Sequence, residues 1–394
     1  MGDIRGHRQI LRAAVVTVAI GGVLIAIAPS FAVLLVGRAL QGPGGAFTPL
    51  AVGILREHAD TRRLRQGTVA VVTGATAGVA LGFLAAAQIF QATDSVRDVL
   101  WIPATCSVAA AAAAVAFLPE SRWRSRLRMD WLGVLSLSGG LGILLLALAN
   151  GADWGWASGR TVSTLVGGAV LLSIWAVVEL LVTDPLIDLR AMSRRAVAPL
   201  FLAGLPIGVA FFGSATATNT FLAASKEAVG YGFDLDVTAV AYIGLANAAA
   251  AILGAVVVPR LIRYLGHIPT VCIGCFVMLV GYAGLATWHG VLWAVVAANS
   301  VSGLGIGLVA GAMTVVLTER SGPATTSVAI GMWITVRAIG GTMAGAGFAA
   351  LLTQVTIAGT AIPRESAYAM VWLTCAIASL LSLLIAAMAT RAAR

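Results

Sequence analysis

Two arginines lie inside long apolar stretches of the chain, where an ionisable side chain needs a partner or water. Arg38 precedes Gln41 by three residues, so the two side chains share one face of a helix. Gly42 and Gly44 follow at once and would let another backbone come close. Placing arginine in the centre of a bilayer costs at least about 2.5–3.5 kcal/mol. Arg38 and Gln41 are therefore predicted to line a wet passage, and a helix-packing arginine bonded to carbonyl groups is the alternative.

The second intramembrane arginine, Arg337, is followed by the glycine pair Gly340-Gly341. The same two interpretations apply to it, because an arginine at that depth is equally costly. Asn247 and Asn299 are uncharged polar residues within other apolar stretches. We predict that these two asparagines and Arg337 line the same passage.

No carboxylate lies deep in an apolar stretch. Glu179 is close to the end of its stretch, and we expect its side chain to extend to the membrane surface. Cys272 and Cys275 form a CxxC with no second pair, so we expect apolar packing rather than a metal or redox site. The sequence contains no P-loop, HExxH or GxSxG motif. These patterns predict a protein that is not an enzyme and that holds no cofactor and no metal.

The composition identifies a lipid bilayer as the natural solvent of the chain. Of its 394 residues 59% are hydrophobic and 10% are charged, whereas soluble domains carry about 25% charged residues. These values exclude a soluble enzyme and a disordered chain. The formal charge of +9 does not indicate nucleic acid as a partner, since most basic residues lie in short breaks between apolar stretches and form no patch with aromatic residues.

Twelve mostly apolar stretches are long enough to cross the hydrocarbon core, which takes about 20 residues in a helix. Their length and continuity favour helices over the alternating strands of a barrel. The predicted fold is therefore all-α: a polytopic membrane helical bundle with twelve transmembrane helices. The stretches are 10–28, 31–54, 67–90, 99–118, 131–150, 161–183, 196–218, 237–259, 267–287, 290–316, 326–353 and 366–389.

The basic residues in the breaks predict the orientation of these helices. Arginines concentrate in alternate breaks, and only Arg97, Arg160, Lys226 and Arg364 fall on the opposite side. Cytoplasmic loops carry the excess of positive charge in membrane proteins. We therefore expect a multi-pass protein of the plasma (inner) membrane with both termini of this chain in the cytoplasm.

Glycines recur at four-residue intervals in several stretches, a pattern that allows helices to approach closely. The segments 78–88 and 341–354 resemble each other in this respect, and such internal repetition is typical of one large class of secondary transporter. We call the glycines at which two helices are predicted to pack closely the helix-seam glycines, and the two glycines that follow Arg38 are among them. They are Gly42, Gly44, Gly74, Gly78, Gly82, Gly303, Gly307, Gly341 and Gly345.

Two motifs resemble those of the major facilitator superfamily, in particular its fourteen-helix drug:proton antiporter branch. The fourth-helix motif of that branch is similar to Leu34-x-x-x-Arg38-x-x-Gln41-Gly42-x-Gly44, and the end of the motif between its second and third helices is similar to Asp3-x-x-Gly6-x-Arg8-x-x-Leu11. The resemblance implies that Asp3, Gly6 and Arg8 form a cytoplasmic gate motif. It also implies that this chain lacks the first two helices of the branch.

The resemblance further implies three segments: an incomplete N-terminal bundle of four helices (1–118), a central linker with an extra helix pair (119–195) and a C-terminal six-helix bundle (196–394). The implied function is proton-coupled efflux of amphipathic small molecules or drugs by alternating access, hence drug resistance, with the substrate, protons and membrane lipid as partners. One departure bears on antiport, because Val79 stands where the fifth-helix motif of the family has a proline. A lipid or metabolite exporter of the same fold and a truncated, non-transporting membrane protein are the alternatives. The substrate and the oligomeric state are left open.

Overall fold

The computed structural model describes residues 6–119, 131–182, 198–320, 326–357 and 359–392. Within these ranges all regular secondary structure is helical apart from one isolated bridge between Thr356 and Pro363, and eleven helices are long and apolar enough to cross a membrane. The predicted all-α fold is thereby confirmed. The helices are α1 (His7–Ile27), α2 (Phe31–Leu40), α3 (Phe47–His58), α4 (Thr61–Thr93), α5 (Val96–Phe117), α6 (Trp131–Trp154), α7 (Gly159–Leu181), α8 (Ala198–Ala223), α9 (Lys226–Val229), α10 (Val237–Leu265), α11 (His267–Trp288), α12 (Leu292–Arg320), α13 (Thr326–Gln354) and α14 (Glu365–Ala392).

Several helices begin at polar capping residues in the breaks between apolar segments. Ser30, Asp60, Ser95 and Ser158 each accept a hydrogen bond from the backbone N–H three residues later. N-cap side chains satisfy the first N–H groups of a helix in this way. The breaks that hydropathy indicates are therefore also places where the sequence starts a new helix.

The predicted span 31–54 is not one continuous helix. The chain forms the ten-residue α2, a 3-10 turn at Gly42–Ala46 and the twelve-residue α3. Pro43 lies at the start of the turn and has no backbone N–H to donate, and the glycines around it are poor helix formers. The glycines that follow Arg38 thus end the helix that carries it.

One compact unit comprises Met1–Arg126, Leu235–Tyr264 and Gly307–Met332. In this unit α1 packs on α2, α3 and α5. Helices α1 and α2 approach closely at Gly21 and Gly37: a Cβ at Gly21 would lie 2.6 Å from the Gly37 carbonyl oxygen, and a Cβ at Gly37 would lie 2.9 Å from that of Gly21. The buried residues of this packing are Leu11, Val15, Ala19, Leu50, Ile54 and Ala111.

A second unit comprises Leu127–Asp234, Leu265–Ile306 and Trp333–Arg394. Here α14 packs on α8 and α11, and the buried polar groups between these helices are paired. Trp372 Nε1 donates to Thr218 Oγ1 at 3.0 Å, and Ser214 Oγ donates to the Tyr282 hydroxyl at 3.2 Å. Trp372 and Tyr282 are therefore both hydrogen-bonded where α8, α11 and α14 meet.

In the same unit α6 and α7 pack on each other. Gly168 lies against the backbone of Leu144, since a Cβ at Gly168 would be 2.9 Å from the Leu144 nitrogen. Trp175 and Glu179 follow Gly168 at seven and eleven residues and share its helix face. Glu179 is accordingly only 2% exposed, so the expectation that its side chain extends to the surface is wrong. Its position on the packed face of α7, which hydropathy does not specify, accounts for the difference.

Candidate functional site

Arg337 lies near the middle of α13 and packs against three aromatic rings. Its guanidinium carbon is 4.3 Å from the ring centroid of Phe211, 5.3 Å from that of Phe212 and 4.8 Å from that of Trp333. A cation over an aromatic face is stabilised by the quadrupole of the ring, most strongly where water is excluded. The structure therefore shows how this arginine is tolerated at depth: aromatic side chains of α8 and α13 surround it.

The backbone around Arg337 is positioned by a tight crossing of α8 and α13. A Cβ at Gly208 would overlap the carbonyl group of Arg337, and a Cβ at Gly340 would overlap that of Leu205. Gly341 also lies close to Phe212, one ring carbon of which would be 2.5 Å from a Cβ there. The glycine-mediated approach thus brings the aromatic pair of α8 onto the arginine of α13.

Arg38 has a different environment in the other unit. Its Nη1 donates to Gln41 Oε1 at 3.3 Å, and the arginine side chain is exposed. The structure therefore brings together the two residues that the motif places on one helix face. Asn247 lies partly buried in α10 of the same unit, whereas Asn299 lies partly buried in α12 within the unit that holds Arg337.

The N-terminal gate motif is described only in part. Asp3 lies outside the described residues. Gly6 precedes α1 with a φ of 94°, a left-handed conformation that favours glycine, and Arg8 lies in the first turn. Between them His7 Nδ1 is 2.6 Å from Glu57 Oε1, and both side chains are buried. Sequence patterns did not indicate this pair, because its members are 50 residues apart.

A cluster of arginines joins the start of α4 and the end of α3 to the end of α12. Arg65 Nε and Nη2 both donate to Glu319 Oε1, at 2.8 and 2.7 Å. Arg56 donates to the carbonyl oxygen of Thr318 and to the hydroxyl of Thr326. A guanidinium such as that of Arg56 stays charged at neutral pH. From the sequence these arginines predicted only the orientation of the helices in the membrane. Their hydrogen-bond partners were not predicted, because they lie more than 250 residues away along the chain.

The other end of α4 is held by hydrogen bonds to the start of α10. Gln91 Oε1 accepts from Thr238 Oγ1 at 2.7 Å, and its amide nitrogen is 3.3 Å from Asp236 Oδ2. One turn earlier, Gln88 Nε2 donates to the Tyr242 hydroxyl at 3.3 Å. Helix α4 is therefore bonded at both ends to elements distant in sequence.

The predicted seam glycines fall into two groups. A Cβ at Gly307 would overlap the carbonyl group of Ala251, Gly341 is in close contact as described above, and Gly303 is buried. The other predicted glycines have no close neighbour among the described residues. A Cβ at Gly44 would lie 3.8 Å from its nearest atom, and a Cβ would have no atom within 4 Å at Gly42, Gly74, Gly78, Gly82 and Gly345. Gly208 and Gly340, which the four-residue pattern did not select, approach a neighbouring helix about as closely as Gly307 does.

A sequence profile described as the Major Facilitator Superfamily matches residues 1–345. The chain belongs to this superfamily. This superfamily member is 28% identical over 376 residues to the cephamycin export protein CmcT of Amycolatopsis lactamdurans, a match that covers 91% of the chain and 74% of the relative. It is 27% identical over 329 residues to the probable actinorhodin transporter of Streptomyces coelicolor, with coverage of 79% and 55%, so the chain spans about half the length of that relative.

Solved structures of superfamily proteins share the fold. The crystal structure of the human organic anion transporter MFSD10 matches with a TM-score of 0.66 over 98% of this chain and 78% of that one, at 14% identity. At this identity the likeness shows the fold alone. The family prediction is confirmed, whereas the fourteen-helix branch and the absence of two helices stay predictions.

Proposed function

We propose that this superfamily member is a secondary active exporter of amphipathic small molecules, driven by the proton gradient. The observation that carries the proposal is the similarity of 91% of the chain to a protein named for cephamycin export. Relatives named for actinorhodin transport and for tetracenomycin C resistance and export support it. In this proposal the protein lies in the plasma membrane with both termini of the chain in the cytoplasm.

The proposed path is lined by Arg38, Gln41, Asn247, Asn299 and Arg337. An arginine away from the ends of a span is costly unless it meets a partner or water. A water-filled passage would hydrate the guanidinium group and so lower this cost. Arg38 supports this role, because its side chain is exposed and its hydrogen bond to Gln41 leaves other guanidinium N–H groups able to donate.

The proposed gates are the polar contacts at the two ends of α4. The pair Arg65–Glu319 would hold the cytoplasmic end closed, together with the motif of Asp3, Gly6 and Arg8. The hydrogen bonds of Gln91 to Thr238 and Asp236 would hold the opposite end. Alternating access then requires that one set of contacts opens while the other persists.

Reconstituted liposomes test the proposal directly. The protein is placed in liposomes with an imposed pH gradient, and the movement of an amphipathic fluorescent dye is followed, with nigericin to collapse the gradient in a matched sample. We expect movement that depends on the gradient and falls in Arg38→Ala. Movement of a fluorescent phospholipid in place of the dye would favour a lipid exporter, and no movement of any probe would contradict the proposal.

A further inference from the structure

The surroundings of Arg337 contain hydrogen-bond donors without acceptors. Arg337 Nε is buried and has no hydrogen-bond partner among the described residues. One helical turn earlier, Trp333 Nε1 is in the same condition, and Trp333 is only 2% exposed. Arginine and tryptophan side chains carry donors and no acceptor. Buried polar atoms in folded proteins are almost always paired, so two orphaned donors one helical turn apart point to an acceptor that is not among the described residues.

The indole of Trp333 packs against a glycine of the neighbouring helix. Trp333 and Arg337 are four residues apart and therefore lie on one face of α13. A Cβ at Gly204 of α8 would lie 3.5 Å from Trp333 Nε1 and 3.3 Å from Val336 Cγ1, so α8 lies close to the indole. The crossing at Gly208 and Gly340 holds both helices in this arrangement. The donors are thus fixed in place before any ligand arrives.

The charge of the spans favours a negative ligand. The two arginines that lie away from the ends of the predicted spans, Arg38 and Arg337, both carry a positive charge, and no aspartate or glutamate lies at a comparable depth in those spans. The groups that face the Arg337 guanidinium are the rings of Phe211, Phe212 and Trp333, which stabilise its charge without accepting a conventional hydrogen bond from Nε. A carboxylate would accept from the guanidinium fork and from the indole N–H, and charge-assisted hydrogen bonds of this kind are the strong ones.

We propose that Arg337 and Trp333 bind a carboxylate of the exported molecule, so that the protein selects organic anions. This inference rests on the proposed export function and adds a substrate class to it. The aromatic rings around the guanidinium would contact the apolar part of the same molecule. Phe211, Phe212 and Trp333 therefore suit an amphipathic acid better than a small inorganic anion.

Equilibrium binding to the full chain in nanodiscs tests the assignment without requiring transport. The probes are 11-(dansylamino)undecanoic acid and its methyl ester, which differ only in the charged group. The variants are Trp333→Phe, which keeps the ring and removes the N–H, and Arg337→Gln, which removes the charge. Arg263→Gln is the matched control, because Arg263 also stacks on an aromatic ring, that of Tyr264, but is exposed near the end of α10.

We expect the wild type to bind the acid at least about tenfold more tightly than the ester, since hydrogen bonds to charged groups are worth that much or more. Arg337→Gln should abolish the preference, Trp333→Phe should reduce it about threefold or more, and Arg263→Gln should leave it unchanged. If Arg337→Gln does not fold, Trp333→Phe carries the test alone. Equal binding of acid and ester by the wild type, or an unchanged preference in Trp333→Phe, would overturn the inference.

The outcome separates this inference from the proposed function. A preference for the acid without gradient-driven movement in liposomes would retain the binding site and remove the export function. Gradient-driven movement of both probes at equal rates, with equal affinities, would retain export and remove the anion site.

Discussion

Arg63 and Arg65 lie two positions apart in the first turn of α4 and have different partners. Arg65 donates twice to Glu319, and the two side chains are 27% and 21% exposed. Arg63 Nε lies 3.9 Å from Asp60 Oδ2, and the two side chains are 80% and 65% exposed. Solvent screens an exposed pair almost completely, whereas a partly buried pair with direct hydrogen bonds retains its attraction. The two pairs therefore form a matched comparison within one helix.

A double-mutant cycle on Arg65→Met and Glu319→Gln should give a coupling free energy of about 1 kcal/mol, the usual worth of a partly solvated charged hydrogen bond. The cycle on Arg63→Met and Asp60→Asn should give a value near zero. The measurement is urea unfolding of the purified protein in detergent, followed by tryptophan fluorescence. Equal coupling in both cycles would show that Arg65 and Glu319 are not held together in the folded protein.

The Arg65 pair also shows what single-residue patterns can predict. The arginines near residue 60 indicate a cytoplasmic end through their sign alone, and that inference needs no partner. Glu319 lies 254 residues further along the chain, and helical spacing relates a residue only to those three or four positions away. Local patterns therefore gave the charge and its expected side of the membrane, but not the contact.

At the level of helices, hydropathy predicted all of the spans but one as continuous helices, whereas glycine spacing predicted the close approaches at Gly307 and Gly341 and missed those at Gly208 and Gly340. An apolar stretch is a local property and is read directly from the sequence. A close crossing needs a small residue on each of two helices at the same height, and the spacing on one helix cannot specify the other. Gly340 meets the carbonyl of Leu205, whereas the described residues place nothing within 4 Å of a Cβ at Gly345, only five residues further along α13.

This contrast yields a prediction for the crossing of α8 and α13. Gly208→Ala and Gly340→Ala should each destabilise the protein by about 1–3 kcal/mol, the usual cost of overpacking, because the new Cβ meets a backbone carbonyl that cannot rotate away. Gly345→Ala should be neutral or stabilising by up to about 1 kcal/mol, because alanine is the better helix former. Thermal unfolding in detergent measures all three variants. A loss of stability in Gly345→Ala as large as in the other two would rule out the crossing as the cause.

We expect the same glycine variants to affect ligand binding at Arg337 in the same order as they affect stability, because this crossing holds the arginine in place. If Gly208→Ala shifts α13, the preference for the acid probe should weaken in that variant together with its stability. Gly345→Ala should keep both. The site could be suspected from Arg337 in the sequence, but the rings of Phe211 and Phe212 come from another helix and were not predicted.

For the whole molecule, the orientation of the helices depends on whether the interrupted segment 31–58 crosses the membrane. Helix α2 has 10 residues, the 3-10 turn has 5 and helix α3 has 12. Placed end to end they would extend about 40 Å, more than the hydrocarbon thickness of about 30 Å. The segment is therefore long enough to cross despite its break. With it the described helices give twelve crossings, and the first and last of them place the two ends on one side. With only the eleven continuous helices, the ends would lie on opposite sides.

Two single cysteines decide between these arrangements. Pro29 lies before the segment and Ala59 after it, and neither is inside a helix. In a background without the four native cysteines, we expect a membrane-impermeant maleimide to label Pro29→Cys in intact cells and Ala59→Cys only after the membrane is opened. The basic residues that follow Ala59, which favour the cytoplasm, support this order. Labelling of both positions from the same side would mean that the break at Gly42–Ala46 turns the chain back within the membrane. The arginine-rich breaks before and after this segment would then lie on opposite sides of the bilayer, which contradicts the alternation of basic residues along the sequence.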